Sequence, residues 1–260
     1  LEFWLRIRYL RGVLILVAGA IWLLVAALIV LRLTAISRPP PRPQAYVCPL
    51  QDTAAVVVKA TCTDCLLYPV DKSHTLSATY APTLVDTGLP GGGQVSITIR
   101  DPLERLFKDA NARGLYPVVT SAYRSYQEQV QVFKGWFFQE WRAHGNIFVG
   151  FQEAARYSAY PGHSEHQLGT AVDVNCRGCT AFNTDDPRNV ALWEFLEQNA
   201  HRYGFVISYP RNMEERTGYQ YEPWHIRYIG VDNATVLYDE GYLTGNGSCA
   251  AALLRAKQAQ

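Results

Sequence analysis

A chain of 260 residues with 48% hydrophobic and 18% charged side chains is long enough for one sizeable globular domain plus appendages, and its composition is neither disordered nor collagen-like. A formal charge of +1 provides no broad attraction to polyanions, so nucleic acid is set aside as a partner. Residue 1 is Leu rather than Met, which fits an unusual start codon or a missing true beginning.

Residues 1–11, with Arg6, Arg8 and Arg11, read as a short cytoplasmic stub. From Gly12 to Leu31 the chain carries no charge. About 20 helical residues at about 1.5 Å each cross the roughly 30 Å core of a bilayer, so residues 12–32 are expected to be a transmembrane anchor. A cleaved signal peptide, with an apolar region of about 7–15 residues, fits less well, as does a buried core helix, which seldom lacks a polar face. Arg32, Arg38 and Arg42 balance the three arginines on the other side, so charge counting does not orient the anchor. All six cysteines (Cys48, Cys62, Cys65, Cys176, Cys179 and Cys249) follow it. Their even number fits disulfides in an oxidising compartment and places the remainder of the chain outside the cytoplasm. The paired Cys62-x-x-Cys65 and Cys176-x-x-Cys179 also have the spacing of a four-thiolate zinc site, and both readings stay open.

Residues 33–47, containing Arg38-Pro-Pro-Pro-Arg-Pro-Gln44, are expected to be an extended linker, because proline fixes φ and removes amide donors. Residues 48–66 form a cysteine-bearing lead-in, residues 67–245 the main domain and residues 246–260 a tail. Within the domain, Gly91-Gly92-Gly93 marks a turn. Asp101 as N-cap, Pro102 in the first turn and Gly114 at the end delimit a helix whose apolar stripe is Leu103, Leu106, Phe107 and Ala110. A strand over 116–120 then leads to a long helix from Ser125 to His144, with Phe and Trp on its inner face. Further along come a strand over 171–174, a helix over 187–203 stopped by Gly204, strands over 205–209 and 225–229, and a short helix over 233–239. The mixture predicts an α+β fold, with helices packed on a small, largely antiparallel sheet.

Three segments carry chemistry: Ser164-Glu-His166-Gln-Leu-Gly169-Thr-Ala171-Val-Asp173, Glu222-Pro-Trp-His225 and Ser121-Ala-Tyr-Arg124-Ser125. A catalytic zinc takes three protein ligands, drawn from imidazoles and carboxylates, and keeps a fourth position for water. His166, Asp173 and His225 can supply those three. A nearby unligated carboxylate has to move protons between water and leaving amine, and Glu222 is the best placed. Pro223 disfavours an interior helical position for Glu222, so this segment is expected to turn into the 225–229 strand. His163 is a decoy three residues before His166, while His74, His144 and His201 are read as structural or exposed. Trp136, Trp141 and Trp224 are read as core or pocket-wall aromatics.

On these residues the chain resembles the VanY-like D-alanyl-D-alanine carboxypeptidases, zinc peptidases whose pattern SxHxxGxAxD followed by ExxH is met without a mismatch. Similarity extends to Ala122-Tyr-Arg-Ser125, Pro161-Gly-His-Ser-Glu-His-Gln167, Ala200-His-Arg-Tyr-Gly-Phe205 and Glu222-Pro-Trp-His-Ile-Arg-Tyr228. It runs from about Leu67 to Tyr242, beginning near Val70-Asp-Lys-Ser-His74. The resemblance implies that His166, Asp173 and His225 bind one catalytic zinc ion and that Glu222 is general base and acid. It also implies that Arg124 stabilises the tetrahedral intermediate or substrate carbonyl, for which a fixed guanidinium suits. Ser125, Gln129 and Ser164 fall where the family places groups near the substrate's terminal carboxylate. Cys176 and Cys179 depart from the core pattern and bear on the shape of the loop after Asp173.

The implied activity is removal of the terminal D-alanine from peptidoglycan stem peptides, by a single-pass protein of the bacterial cell membrane with its catalytic domain outside. L,D-carboxypeptidase or D,D-dipeptidase activity on the same scaffold, and a non-catalytic zinc-containing wall-binding module, are the alternatives.

Overall fold

The segment Ala171–Cys176 is buried at every position, as expected of a strand covered on both faces, and the domain is built around it. The computed structural model describes residues 66–72 and 74–239. The expected anchor, linker and tail, and all of the lead-in but Leu66, lie outside the described residues. Among the described residues no helix is long and apolar enough to cross a membrane.

In chain order the elements are β1 (Leu84–Asp86), β2 (Gln94–Ser96), α1 (Ile97–Ala112), β3 (Pro117–Ser121), α2 (Tyr126–His144), α3 (Ile147–Tyr157), β4 (Ala171–Cys176), α4 (Pro187–Asn199), β5 (Phe205–Tyr209), α5 (Glu214–Thr217), β6 (Glu222–Tyr228) and α6 (Val231–Asp239). Strands β3 to β6 form a four-stranded sheet in the order β3-β4-β6-β5, with every neighbouring pair antiparallel. β1 and β2 form a separate antiparallel pair. This is the α+β architecture expected from the sequence.

Alternation along the strands sorts side chains between the two faces of the sheet. Val172 and Val174 of β4 and Ile226 of β6 join the main core, together with Ile99, Leu103, Leu106 and Phe107 of α1 and Leu192, Trp193 and Leu196 of α4. The opposite face takes Asp173 from β4 and His225 and Arg227 from β6. Asp173 pairs with His225 across the ladder, so two candidate ligands are neighbours because of strand register alone.

Several boundaries differ from those read in the sequence. Helix α1 begins at Ile97, not after Asp101, and Ser96 is its N-cap, accepting a hydrogen bond from the Thr98 amide. Pro102 lies inside the helix, where it removes one bond that the Thr98 carbonyl would otherwise receive. Tertiary contacts hold the extra turn: Ile99 is buried in the core, the Ser96 amide donates to the Gly169 carbonyl at 2.8 Å and the Ile97 amide to the Thr83 carbonyl at 3.0 Å. Ser96→Ala is therefore expected to destabilise the fold by about 1 kcal/mol, and Asp101→Ala by less than about 0.5 kcal/mol as an exposed substitution. Urea midpoints of the two variants check this, and a larger loss at Asp101 would return the cap to the position read from the sequence.

The glycine run joins β1 to β2. A Cβ at Gly91 would stand 1.9 Å from the Val119 carbonyl oxygen, and its φ is +94°, so this turn demands glycine on both counts. Helix α2 starts as expected, with a capping box formed by Ser125 and Glu128. Its expected aromatic inner face is thinner than read: only Gln129 and Phe133 of α2 are buried, while Trp136 and Trp141 are 39% and 40% exposed. The rings face α3, an element the sequence reading did not separate, through Phe133–Phe151 at 5.4 Å and Trp136–Tyr157 at 5.1 Å between centroids. Gly145 ends α2 in the left-handed conformation and Asn146 caps α3, which together make the hairpin. Cys176 and Cys179 form a disulfide, the first of the two readings left open for the cysteines. The other cysteines lie outside the described residues.

Candidate active site

His166 lies in a short 3-10 turn, Glu165–Leu168, capped by Gly169 in the left-handed conformation. A Cβ at Gly169 would meet Pro82 Cγ at 2.8 Å, so the bend that aims His166 at the sheet needs glycine here. The turn faces Asp173 and His225. Ligand atoms of His166, Asp173 and His225 all lie within 4.8 Å of one another, and all three residues are buried.

Each imidazole is aimed by its far nitrogen. His166 Nδ1 meets the Ala122 carbonyl at 2.8 Å, so it donates and leaves Nε2 toward Asp173. His225 Nε2 meets Glu165 Oε2 at 3.0 Å, while Nδ1 faces Asp173 Oδ1 at 3.0 Å. Glu165 in turn accepts from Ser208 Oγ at 2.6 Å and from Arg227 Nη1 at 2.8 Å. A second carboxylate or carbonyl that fixes each ligand's tautomer and direction is what a metal site requires around its donors. Two imidazoles and one carboxylate, with a neighbouring cavity, match the donor set of a zinc ion that keeps one position open.

The electrostatics follow from burial and neighbours. Burial lowers the His166 pKa to about 4 with help from the Arg124 guanidinium, against the pull of Asp173, so this ring is neutral at pH 7. Burial works in the same direction on His225, but hydrogen bonds to Asp173 and Glu165 outweigh it and raise the pKa to about 10. Burial would raise Glu165, yet Arg227, His225 and Ser208 hold it down at about 2. Asp173 is buried too, and the two histidines keep its carboxyl well below the usual range. Glu222 is the exception among the carboxylates of this cluster. Burial pushes it up to about 8, with His225 and Arg124 opposing and Asp173 adding to the rise.

His166, Asp173, His225 and Glu222 line a cavity of about 440 Å³ that also receives Arg124, Ser164, Tyr209, Tyr219, Trp136 and Trp224. This volume is in the range of small-ligand sites. Glu222 and His225 are three apart on β6, and a regular strand would send them to opposite faces. Between them the register with β5 shifts, so that Ile207 to Tyr209 spans Ile226 to Glu222. That irregularity, with Pro223 inside it, re-aims Glu222 into the cavity.

Of the positions read from the sequence, His166, Asp173, His225, Glu222, Arg124 and Ser164 are brought together here. Ser125 instead bonds Glu128 as the helix cap, and Gln129 donates to the Ala159 carbonyl at 2.7 Å; neither lines the cavity. His163 Nδ1 bonds the Asp71 carbonyl at 2.7 Å, a structural contact. Trp141 stands apart from the cavity, unlike Trp136 and Trp224. The sequence reading assigned no role to Glu165, Arg227 and Ser208, although a glutamate immediately before a ligand histidine was a usable signal. It also passed over Lys72, which donates to the Ala155 carbonyl and sits 3.6 Å from the ring centre of the wall residue Tyr219.

Fold and site together define an α+β domain with a His-Asp-His cluster that could hold a metal ion beside a further carboxylate, Glu222. The chain belongs to the VanY D-alanyl-D-alanine carboxypeptidase family, whose model matches residues 93–231. A D-alanyl-D-alanine carboxypeptidase of Enterococcus faecalis (strain ATCC 700802 / V583) is 35% identical over 173 residues, 66% of this chain and 61% of the relative. The chain thus spans less than two thirds of that relative's length. A vancomycin-resistance D,D-pentapeptidase VanY solved in complex with Zn(II) is similar with a TM-score of 0.61 and 34% identity, covering 69% of this chain and 96% of that one. An LdcB LD-carboxypeptidase is similar with a TM-score of 0.60 and 32% identity, covering 72% and 86%.

Proposed function

We propose that this protein is a zinc-dependent D-alanyl-D-alanine carboxypeptidase that removes the terminal D-alanine from peptidoglycan stem peptides. The observation that carries this reading is the meeting, in one cavity, of the His166, Asp173 and His225 donor atoms with Glu222 and Arg124. Zinc, when bound by those three residues, supplies Lewis acidity and lowers the pKa of a coordinated water. Glu222 takes the proton of the attacking water and passes it to the departing amine, roles suited to a carboxylate whose pKa is raised toward neutral. Arg124 directs its donors at the substrate carbonyl oxygen as negative charge builds there. Ser164, which lines the same cavity, is assigned to the substrate's terminal carboxylate as part of this reading. A wall-binding module that held zinc only for structure would need neither Glu222 nor Arg124. Residues 12–32 are proposed to anchor the protein in the bacterial cell membrane, with the catalytic domain on the outer side.

L,D-carboxypeptidase activity is the second reading, favoured by a likeness to the LdcB structure that nearly equals the likeness to VanY. Mass spectrometry of muropeptides ending in one or two D-alanines, incubated with the protein in the presence and absence of a chelator, tests both. Loss of one D-alanine from the pentapeptide, abolished by the chelator, is expected; cleavage of the tetrapeptide alone would transfer the assignment to the second reading.

Two further results are expected from the ligand shell. Because hydrogen bonds to Asp173 and Glu165 raise the His225 pKa to about 10, ligation of zinc through its Nδ1 would require loss of a proton. One displaced proton makes the apparent affinity rise about tenfold per pH unit from pH 6 to 8. Competition against a chromophoric chelator measures the slope, and a flat profile would remove His225 Nδ1 from the ligand set. Replacing the shell residue, Glu165→Gln, is expected to weaken zinc about 10- to 100-fold. The same titration reads it.

A further inference from the structure

The Cys176–Cys179 disulfide stands three residues after Asp173, at the end of β4, and it has no part in the chemistry above. It closes the start of a loop that returns to the cavity through Phe182, which lines it and lies 5.0 Å from the ring centre of Trp224. Trp224 stands on β6 between Glu222 and His225 and rests in turn on the buried Trp193 at 5.4 Å. Among the described residues Phe182 is one of the few non-glycines with positive φ, +62°, a conformation that persists in a phenylalanine only when surrounding contacts impose it.

Those contacts can be named. The Phe182 amide donates to Asn175 Oδ1 at 2.9 Å. Asn175 donates to Thr120 Oγ1 at 2.7 Å, and Thr120 Oγ1 donates to the Asp173 carbonyl at 3.1 Å. On the other side, the buried Asn189 accepts from the Cys176 amide at 2.9 Å and donates to the carbonyls of Thr180 and Asn183 at 3.0 and 3.2 Å. The disulfide ties the two ends of the turn between these anchors, and Cys179 packs against the main core.

Resting on the carboxypeptidase reading, we propose that Phe182 is a specificity-determining wall residue for the apolar, methyl-bearing face of the substrate peptide, and that the Cys176–Cys179 disulfide is its positioning element. The ring pair of Phe182 and Trp224 forms an apolar surface directly beside the base and one ligand, where small side chains of the substrate are covered and larger polar ones are not. The disulfide acts on binding through Phe182 and leaves the metal ligands in place.

Kinetics of the full chain on a D-alanine-terminated pentapeptide test this, with zinc content measured alongside. Phe182→Ala and the double variant Cys176→Ser, Cys179→Ser are each expected to raise KM about tenfold, with kcat within about twofold and zinc unchanged, as befits loss of uniform binding. The triple variant is expected to be no worse than Phe182→Ala alone, since both changes remove one contact. Should the double variant fail to fold, a phosphine reductant applied to the wild-type chain is expected to give the same rise in KM and to leave the Phe182→Ala chain unmoved, which controls for the other cysteines. Losses in the triple variant that multiply, or an unchanged KM in the reduced or serine form, would overturn the proposal. A wild-type chain inactive on every muropeptide would overturn the carboxypeptidase reading instead. In that event amide exchange across residues 177–186 still decides the disulfide's role, which predicts faster exchange at Phe182 in the serine variant and is refuted by equal rates.

Discussion

Replacing Glu222 by Gln is expected to lower kcat for D-alanine release by about 10²–10⁴-fold while the purified protein keeps its zinc. Glutamine matches the shape of the side chain and sits in the same bend of β6, so packing and metal ligation are preserved. What it removes is the site that accepts a proton. Glu222 is buried, lines the cavity and is absent from the converging donor set, so its raised pKa is free to serve proton transfer. Burial is the leading cause of that rise, to about 8, and a bound dication would draw it back toward the operating pH. The measurement is single-substrate kinetics with metal analysis on the same preparation. A variant as active as the wild type would end the general-base assignment; one that lost zinc as well as turnover would make Glu222 a ligand.

The arrangement behind this prediction was legible in the sequence to an unusual extent, and the reason is local. His166, Gly169 and Asp173 lie within one turn and the start of one strand, so short-range spacing carried their geometry; Glu222 and His225 share β6, and its irregular register with β5 brings both to the cavity. Register then placed Asp173 opposite His225. What escaped the reading depends on distance along the chain. Glu165 gains its meaning from Arg227 and Ser208, 62 and 43 residues away, and nothing in the spacing announces those partners. Ser96 displaced Asp101 as the cap because Gly169 and Thr83 hold the first turn from outside the helix. Helix α3 was not separated although its apolar residues recur with helical periodicity; its rings pair with those of α2 rather than with the sheet, and spacing within the segment does not announce those partners.

Arg124→Met is expected to reduce kcat/KM by about 10²–10³-fold, the typical loss on removing one donor to a developing oxyanion. The competing role for a half-buried arginine is an ordinary ion pair, and the geometry separates the two. Among the described residues no carboxylate forms a salt bridge with Arg124, its Nε is buried without a partner, and the side chain lines the cavity. Burial lowers its pKa, while Asp173, Glu222 and Tyr209 favour the charged form, so the guanidinium remains a cation whose Nε has no internal acceptor. Its backbone is held independently of the side chain: the Arg124 amide donates to the His166 carbonyl at 3.3 Å and the Tyr123 amide to the Gln94 carbonyl at 2.8 Å. Methionine should therefore leave the urea midpoint nearly unchanged while the rate falls. Arg124→Lys is expected to recover only part of the loss, because an ammonium keeps the charge but not the planar fork of donors. If methionine instead lowered the midpoint and spared the rate, Arg124 would be a structural residue and the oxyanion would need another donor from the cavity wall.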